Sequence, residues 1–292
     1  MEVPAPSTPY HYTFTGLLRI TRVWNLVILV LAQYFTAIFL ASGDIPWIDV
    51  LLNPKMFFLS LSTALIAAAG YVINDYYDVK IDLINKPQRV VVGKFMKRRV
   101  AMFFHVFFSI VGVLLGFLVS WKLALINLLS AGLLWLYSNQ LKRLPVIGNL
   151  SVAVLTGISI YIVHFIYGSS HALVLAYSLF AFCFTMIREI IKDMEDLKGD
   201  ATFGCRTLPV VVGLRKTKWF IYILSVSFVL GLVALSFVFV GQELSLFSAG
   251  LLLPIFWLLF NLSKADTMDE YRRLSNHCKI IMLAGILSMI LF

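Results

Sequence analysis

The chain has 292 residues, 60% hydrophobic and 13% charged, with a mean hydropathy of +0.90, a balance far outside that of water-soluble domains and typical of an integral membrane protein. A net charge of +9 would point to nucleic acid in a soluble protein, but here the basic residues are accounted for by membrane orientation, and no nucleic-acid partner is expected. Cys183, Cys205 and Cys278 stand far apart without a CxxC pair, which argues against a zinc site and a disulfide framework and leaves them as packing residues.

Residues 1–16 form a polar, Pro-rich segment with no basic residue ahead of the first apolar run, so a cleaved signal peptide is not expected. Apolar runs of roughly 20 residues, the length that crosses a bilayer as a helix, then follow at about 17–41, 56–76, 100–119, 122–140, 148–167, 171–191, 218–240, 244–262 and 276–292. The predicted fold is all-α: nine transmembrane helices in a single domain, 1–292, with no room for a separate soluble domain. Within it, Gly112 and Gly116 have the spacing of a helix-packing pair, and His105 reads as a satisfied interior histidine.

Two connections are long, Asp78–Arg99 and Lys192–Thr217, and each carries an acidic motif. Lys and Arg accumulate on cytoplasmic loops. Arg19, Arg22, the run Lys80–Arg99, Lys142, Arg143, the cluster Arg188–Lys218, Lys264, Arg272, Arg273 and Lys279 fall on one side, and only Lys55 and Lys122 on the other. This count predicts a cytoplasmic N-terminus and cytoplasmic acidic loops.

In a continuing helix Asp75, Asp78 and Asp82 share one face, with Asn74 one turn before Asp78. Three like charges on one stripe at the end of an apolar helix are tolerable when a cation sits among them, and hard oxygen ligands suit Mg²⁺. The spacing returns in Asp193, Asp196 and Asp200, so two similar acidic faces imply one shared site; Glu195 reads as a solvated bystander. Lys86, Arg89 and Lys94 follow the first motif, and Arg188, Lys192, Lys198 and Arg206 surround the second. Carboxylates, Mg²⁺ and cations together describe a diphosphate site. Its place at a membrane surface points to a ligand with a hydrocarbon tail, such as an isoprenoid diphosphate. Ionisation of the allylic C–O bond would give a carbocation needing a dry, electron-rich pocket, with Tyr34, Tyr71, Tyr137, Tyr161, Trp24 and Trp135 as candidate walls. Arg98 and Arg99 read as topology anchors.

These motifs resemble those of the UbiA-type intramembrane prenyltransferases over nearly the whole chain. The likeness rests on Asn74-Asp75-x-x-Asp78-x-x-x-Asp82, on Asp193-x-x-Asp196-x-x-x-Asp200 and on Arg206-Thr207-Leu208-Pro209. It extends to Arg22-x-x-Asn25, Asn85-x-Pro87-x-Arg89 and Tyr137-Ser138-x-x-Leu141-Lys142-Arg143. The resemblance implies nine helices around a central cavity with cytoplasmic cap loops. It also implies two Mg²⁺ held by Asp75, Asp78, Asp82, Asp193, Asp196 and Asp200, of which Asp75, Asp78, Asp196 and Asp200 are the catalytic candidates. Asn74, Arg22, Asn25, Lys86, Arg89, Tyr137, Lys142, Lys192 and Arg206 are the residues it places on substrate. The stretch Arg188–Asp200 is most similar to the geranylgeranylglyceryl phosphate geranylgeranyltransferases, and an acceptor with its own phosphate fits the extra cations Lys142, Arg143, Arg188 and Lys192. The partners implied are a prenyl diphosphate donor, a lipophilic acceptor and the bilayer. An aromatic acceptor (4-hydroxybenzoate, homogentisate or dihydroxynaphthoate) is the alternative, and a cation or phosphate-compound transporter the reading from a different class. No motif reports donor chain length, a general base or oligomeric state.

Overall fold

A computed structural model describes residues 14–85, 88, 90–168, 171–238 and 242–292. Among them, nine helices are long and apolar enough to cross a bilayer. The chain divides into two compact units, one formed by residues up to Leu31 together with Asn53–Leu141, the other by Ala32–Leu52 and Lys142–Phe292.

In the first unit, α1 (Phe14–Ile20) ends at a break before α2 (Val23–Phe35), whose last residues belong to the second unit. The single helix predicted over 17–41 is therefore interrupted. The cause is Arg22, which holds a left-handed backbone at φ 51°, a conformation that costs a non-glycine residue about 1–3 kcal/mol.

Three long helices complete this unit: α4 (Pro54–Asn85), α5 (Arg98–Val119) and α6 (Trp121–Asn139), which pack against one another; α3 (Trp47–Leu51) precedes them in the chain and belongs to the second unit. Helix α4 runs well past the predicted end of its apolar span because its last turns are amphipathic. Val72, Tyr76, Val79 and Leu83 recur at helical spacing and pack into a cluster with Ile20, Val90, Val91, Val92, Met96 and Ala101. The acids 75, 78 and 82 occupy another face of the same turns.

The three valines are 4%, 6% and 1% exposed, so this stretch is a hydrophobic plug beneath the acidic turns. The plug closes on itself where the Val91 carbonyl accepts from the Phe95 N–H (2.8 Å) and the Gly93 N–H donates to the Met96 carbonyl (2.8 Å). Gly93 makes the turn at φ 90°, which glycine adopts without steric cost.

As predicted, Gly112 serves close packing: a Cβ there would come within 3.1 Å of the Ser62 carbonyl oxygen. His105 is buried with Nδ1 3.1 Å from the Ala69 carbonyl, a satisfied interior residue.

The second unit is built around α8 (His171–Glu195), which packs against α7 (Ile147–Tyr161), α10 (Leu208–Val238) and α12 (Met268–Ser288). Tyr177, Phe184, Ile187, Ile190, Ile191 and Met194 of α8 are all buried. Between α8 and α10 lies the short helix α9 (Leu197–Thr202), and α11 (Gln242–Lys264) precedes α12. Two spans begin earlier than hydropathy predicts. α10 gains a first turn ahead of Gly213, whose φ of 80° kinks it. α12 starts at Met268 because Thr267 and Glu270 form a reciprocal capping box, which satisfies otherwise orphaned N–H groups. The three cysteines are buried and unbridged, as expected.

Candidate active site

In the first unit, Asp75, Asp78 and Asp82 lie on one unbroken helix, as predicted. The strained backbone at Arg22 aims its guanidinium at this face: Nη2 donates to Asp75 Oδ1 at 2.9 Å, and Cζ stands 4.9 Å from the centroid of the Tyr71 ring. Burial opposes the Arg22 charge, but Asp75, followed by Tyr71 and Asp82, more than offsets it, and the pKa lies above the ordinary guanidinium value. Asn25 Nδ2 donates to the Tyr71 hydroxyl at 3.4 Å. The Arg22-x-x-Asn25 pair thus grips one aromatic ring a turn before Asp75. Arg98, read as a topology anchor, also reaches back to α4: Nη2 donates to the Tyr76 carbonyl at 3.2 Å, and its guanidinium lies 4.6 Å from the Tyr76 centroid.

Asn74 supplies the most direct sign of a missing partner. Its Oδ1 is buried and accepts no hydrogen bond among the described residues, a condition that costs about 1–3 kcal/mol unless a ligand satisfies it. A neutral oxygen beside a row of carboxylates is a donor set for a hard divalent cation, so the residues present fit Mg²⁺. Among the described residues, no three His, Cys, Asp or Glu side chains form a preformed cage. Lys86 and Arg89 lie outside the described residues.

In the second unit, the acidic motif is not one continuous helical stripe. Helix α8 stops at Glu195, Asp196 adopts φ −90° and ψ 6°, and Asp200 belongs to α9. Asp193 and Asp200 are held by different partners. Asp193 Oδ2 accepts from Asn149 Nδ2 at 2.8 Å. Asp200 is buried, its Oδ2 3.3 Å from the Thr207 hydroxyl and its carbonyl accepting from the Cys205 N–H at 2.9 Å. The Arg206 N–H donates to the Arg143 carbonyl at 2.8 Å, tying the Arg-Thr-Leu-Pro stretch to the turn that opens α7. That turn is itself strained. Val146 sits at φ 68° and ψ −40° while the Ile147 N–H closes onto the Pro145 carbonyl at 2.8 Å, a tight three-residue turn rarely seen with a β-branched centre.

Several expectations change. Glu195 is not a solvated bystander: its side chain is 7% exposed and accepts from Arg272 Nε at 3.0 Å, joining α8 to the first turns of α12. Trp24 and Trp135 are 80% and 42% exposed. Tyr34, Tyr137 and Tyr161 are half-buried. Lys94, Lys198 and Arg206 have exposed side chains, and Lys142 is half-buried. Asn149 and the Glu195–Arg272 pair are the positioning elements that motif reading missed, and Tyr71, expected as a wall residue, is gripped by Arg22 and Asn25. An Asn at the start of an apolar span was the available signal for the first.

A protein-family model described as the UbiA prenyltransferase family matches residues 29–280. A digeranylgeranylglyceryl phosphate synthase from Thermococcus gammatolerans is 35% identical over 208 residues, 70% of this chain and 71% of that protein. Among solved structures, one concerned with digeranylgeranylglyceryl phosphate synthase in membranes superimposes with a TM-score of 0.73 at 25% identity, covering 95% of this chain and 97% of the other. A UbiA homologue from Archaeoglobus fulgidus bound to GPP and Mg²⁺ shares the fold, with a TM-score of 0.73, 17% identity and coverage of 95% and 100%.

Proposed function

The chain belongs to the UbiA prenyltransferase family, and from that premise we propose that it moves a geranylgeranyl group from its diphosphate to geranylgeranylglyceryl phosphate in ether-lipid synthesis. The observation that carries this reading is the pairing of two acidic motifs with relatives named digeranylgeranylglyceryl phosphate synthase at 35% identity. In the reaction the allylic C–O bond to diphosphate breaks. The acceptor hydroxyl oxygen forms the new C–O bond and loses its proton.

The proposal assigns two Mg²⁺ to Asp75, Asp78 and Asp82 with Asn74, and to Asp193, Asp196 and Asp200. When bound, the ions supply positive charge to the leaving diphosphate. The chain's own residues orient that machinery. Arg22, fixed over Tyr71, holds Asp75; Asn149 holds Asp193; Lys86, Arg89, Tyr137, Lys142, Lys192 and Arg206 are assigned to substrate. Glu189 is a poor candidate for the base that takes the acceptor's proton, since both its oxygens already accept from cations. We further propose that the N-terminus and both acidic segments face the cytoplasm, on the distribution of Lys and Arg.

The test is transfer of label from radiolabelled geranylgeranyl diphosphate in membranes expressing the chain, with Mg²⁺. Label should pass to geranylgeranylglyceryl phosphate. Label passing only to 4-hydroxybenzoate, homogentisate or dihydroxynaphthoate would keep the prenyl-transfer chemistry and overturn the acceptor.

A further inference from the structure

On helix α8, Thr185 stands three and four residues before Arg188 and Glu189, and Lys192 four and three residues after them, so the four share one side of the helix. Glu189 is 6% exposed and is shared by two cations: Arg188 Nη1 lies 2.6 Å from Oε1 and Lys192 Nζ 3.2 Å from Oε2. The next carboxylate, Asp193, accepts from Asn149 Nδ2.

Two polar atoms on the same face are left over. The Nε of Arg188 is buried without an acceptor among the described residues, and so is the hydroxyl of Thr185, a residue only 3% exposed. A helical threonine ordinarily satisfies its hydroxyl on the carbonyl one turn back, as Thr36, Thr63 and Thr156 do here. Thr185 does not. A hydroxyl and a guanidinium N–H, one turn apart and both unused, are complementary to an oxyanion with several acceptors. The cluster is still reachable, with the side chains of Arg188 and Lys192 22% and 33% exposed.

We propose that Thr185, Arg188 and Lys192 form the subsite for the phosphate monoester of the acceptor, with Glu189 as the internal counter-ion that fixes both cations before the phosphate arrives. This rests on the acceptor assignment made above. Glu189 holds the Arg188 fork by Nη1, which leaves the Nε edge for the ligand. Thr185 lies one turn farther along the helix from the acidic motif than Arg188, so the phosphate is read by residues distinct from the carboxylates that serve the donor diphosphate.

Steady-state kinetics of the full chain test this, varying geranylgeranylglyceryl phosphate at saturating geranylgeranyl diphosphate and then the reverse. Arg188→Gln should raise the acceptor KM roughly tenfold or more, the worth of one charged hydrogen bond, while the donor KM stays within about twofold. Thr185→Val, which keeps the shape and removes the hydroxyl, should raise the acceptor KM several-fold, and Thr185→Ser should restore it. A rise confined to the donor KM, or equal in both, would overturn the subsite, as would an unchanged acceptor KM in Thr185→Val even where Arg188→Gln fails to fold. Failure of the parent reading is a separate observation, made on the unsubstituted chain: label then reaches an aromatic acceptor and none reaches the glyceryl phosphate.

Discussion

Arg22 Nη2 reaches Asp75 Oδ1 at 2.9 Å from a backbone held at φ 51°. The strain is local, and its effect is to break the first helix where the guanidinium must turn onto the acidic face of α4. Lysine lacks the planar fork that stacks on Tyr71 while donating to a carboxylate. Arg22→Lys should therefore lower kcat/KM for the prenyl diphosphate by roughly ten- to a hundredfold, the worth of one charged hydrogen bond. Steady-state turnover in membranes measures it, and an unchanged kcat/KM would remove Arg22 from the donor machinery.

The orphaned Oδ1 of Asn74 predicts a metal-specific defect. EDTA should abolish turnover and Mg²⁺ restore it. Asn74→Ala should raise the Mg²⁺ concentration for half-maximal rate by roughly tenfold, the usual cost of losing a contributing ligand or its support. Full activity in thoroughly chelated membranes would sink the metal mechanism outright. A normal Mg²⁺ response in Asn74→Ala would remove only this residue from the set.

Asn149 leads to a parallel expectation in the second unit. Without its amide, the half-buried Asp193 has one donor fewer. Asn149→Leu should weaken the Mg²⁺ response, and it should also destabilise the fold by about 1 kcal/mol because a half-buried acceptor loses its donor. Thermal unfolding in detergent separates the two effects. A loss of stability with an unaltered Mg²⁺ response would make Asn149 a packing residue alone.

The transmembrane frame was legible in the sequence because hydropathy over bilayer lengths is a one-body property: it depends on each residue's own transfer cost and not on its neighbours. The first acidic motif was legible for a related reason, since helical spacing alone puts Asp75, Asp78 and Asp82 on one face. The second motif has the same spacing but a different backbone, because α8 ends at Glu195 and Asp200 sits on a separate short helix. Spacing cannot report where a helix stops. Nor can it report pairings across helices, which is why Glu195 read as solvated while the structure buries it against Arg272, and why Val90, Val91 and Val92 gave no hint of the plug they form under α4.

Gly285 of α12 packs against the Phe180 ring so closely that an added Cβ would collide with it. Gly285→Ala must displace the ring or the helix. Overpacking of this kind costs about 1–3 kcal/mol. The variant should melt at a lower temperature in detergent with its Mg²⁺ response unchanged, and a melting temperature equal to that of the unsubstituted chain would mean that the two helices separate without cost.

The Glu195–Arg272 contact joins the end of α8 to the start of α12 at 3.0 Å, with Glu195 7% and Arg272 50% exposed. The asymmetry decides what each substitution does. Arg272→Ala leaves a buried carboxylate without that partner, whereas Glu195→Gln keeps an acceptor for the guanidinium and removes only the charge. Because half of Arg272 is in contact with solvent, the pair is partly screened, and Arg272→Ala should cost about 1–2 kcal/mol, less than a fully buried pair would. Glu195→Gln should cost less still. Glu195 precedes Asp196 in the chain, so loosening this contact frees the end of α8, and Arg272→Ala should also raise the half-saturating Mg²⁺ concentration. Both readouts can be taken on one preparation. If Glu195→Gln proved as damaging as Arg272→Ala, the charge itself would be what matters, and the contact would belong with the metal-binding acids and not with the helix packing.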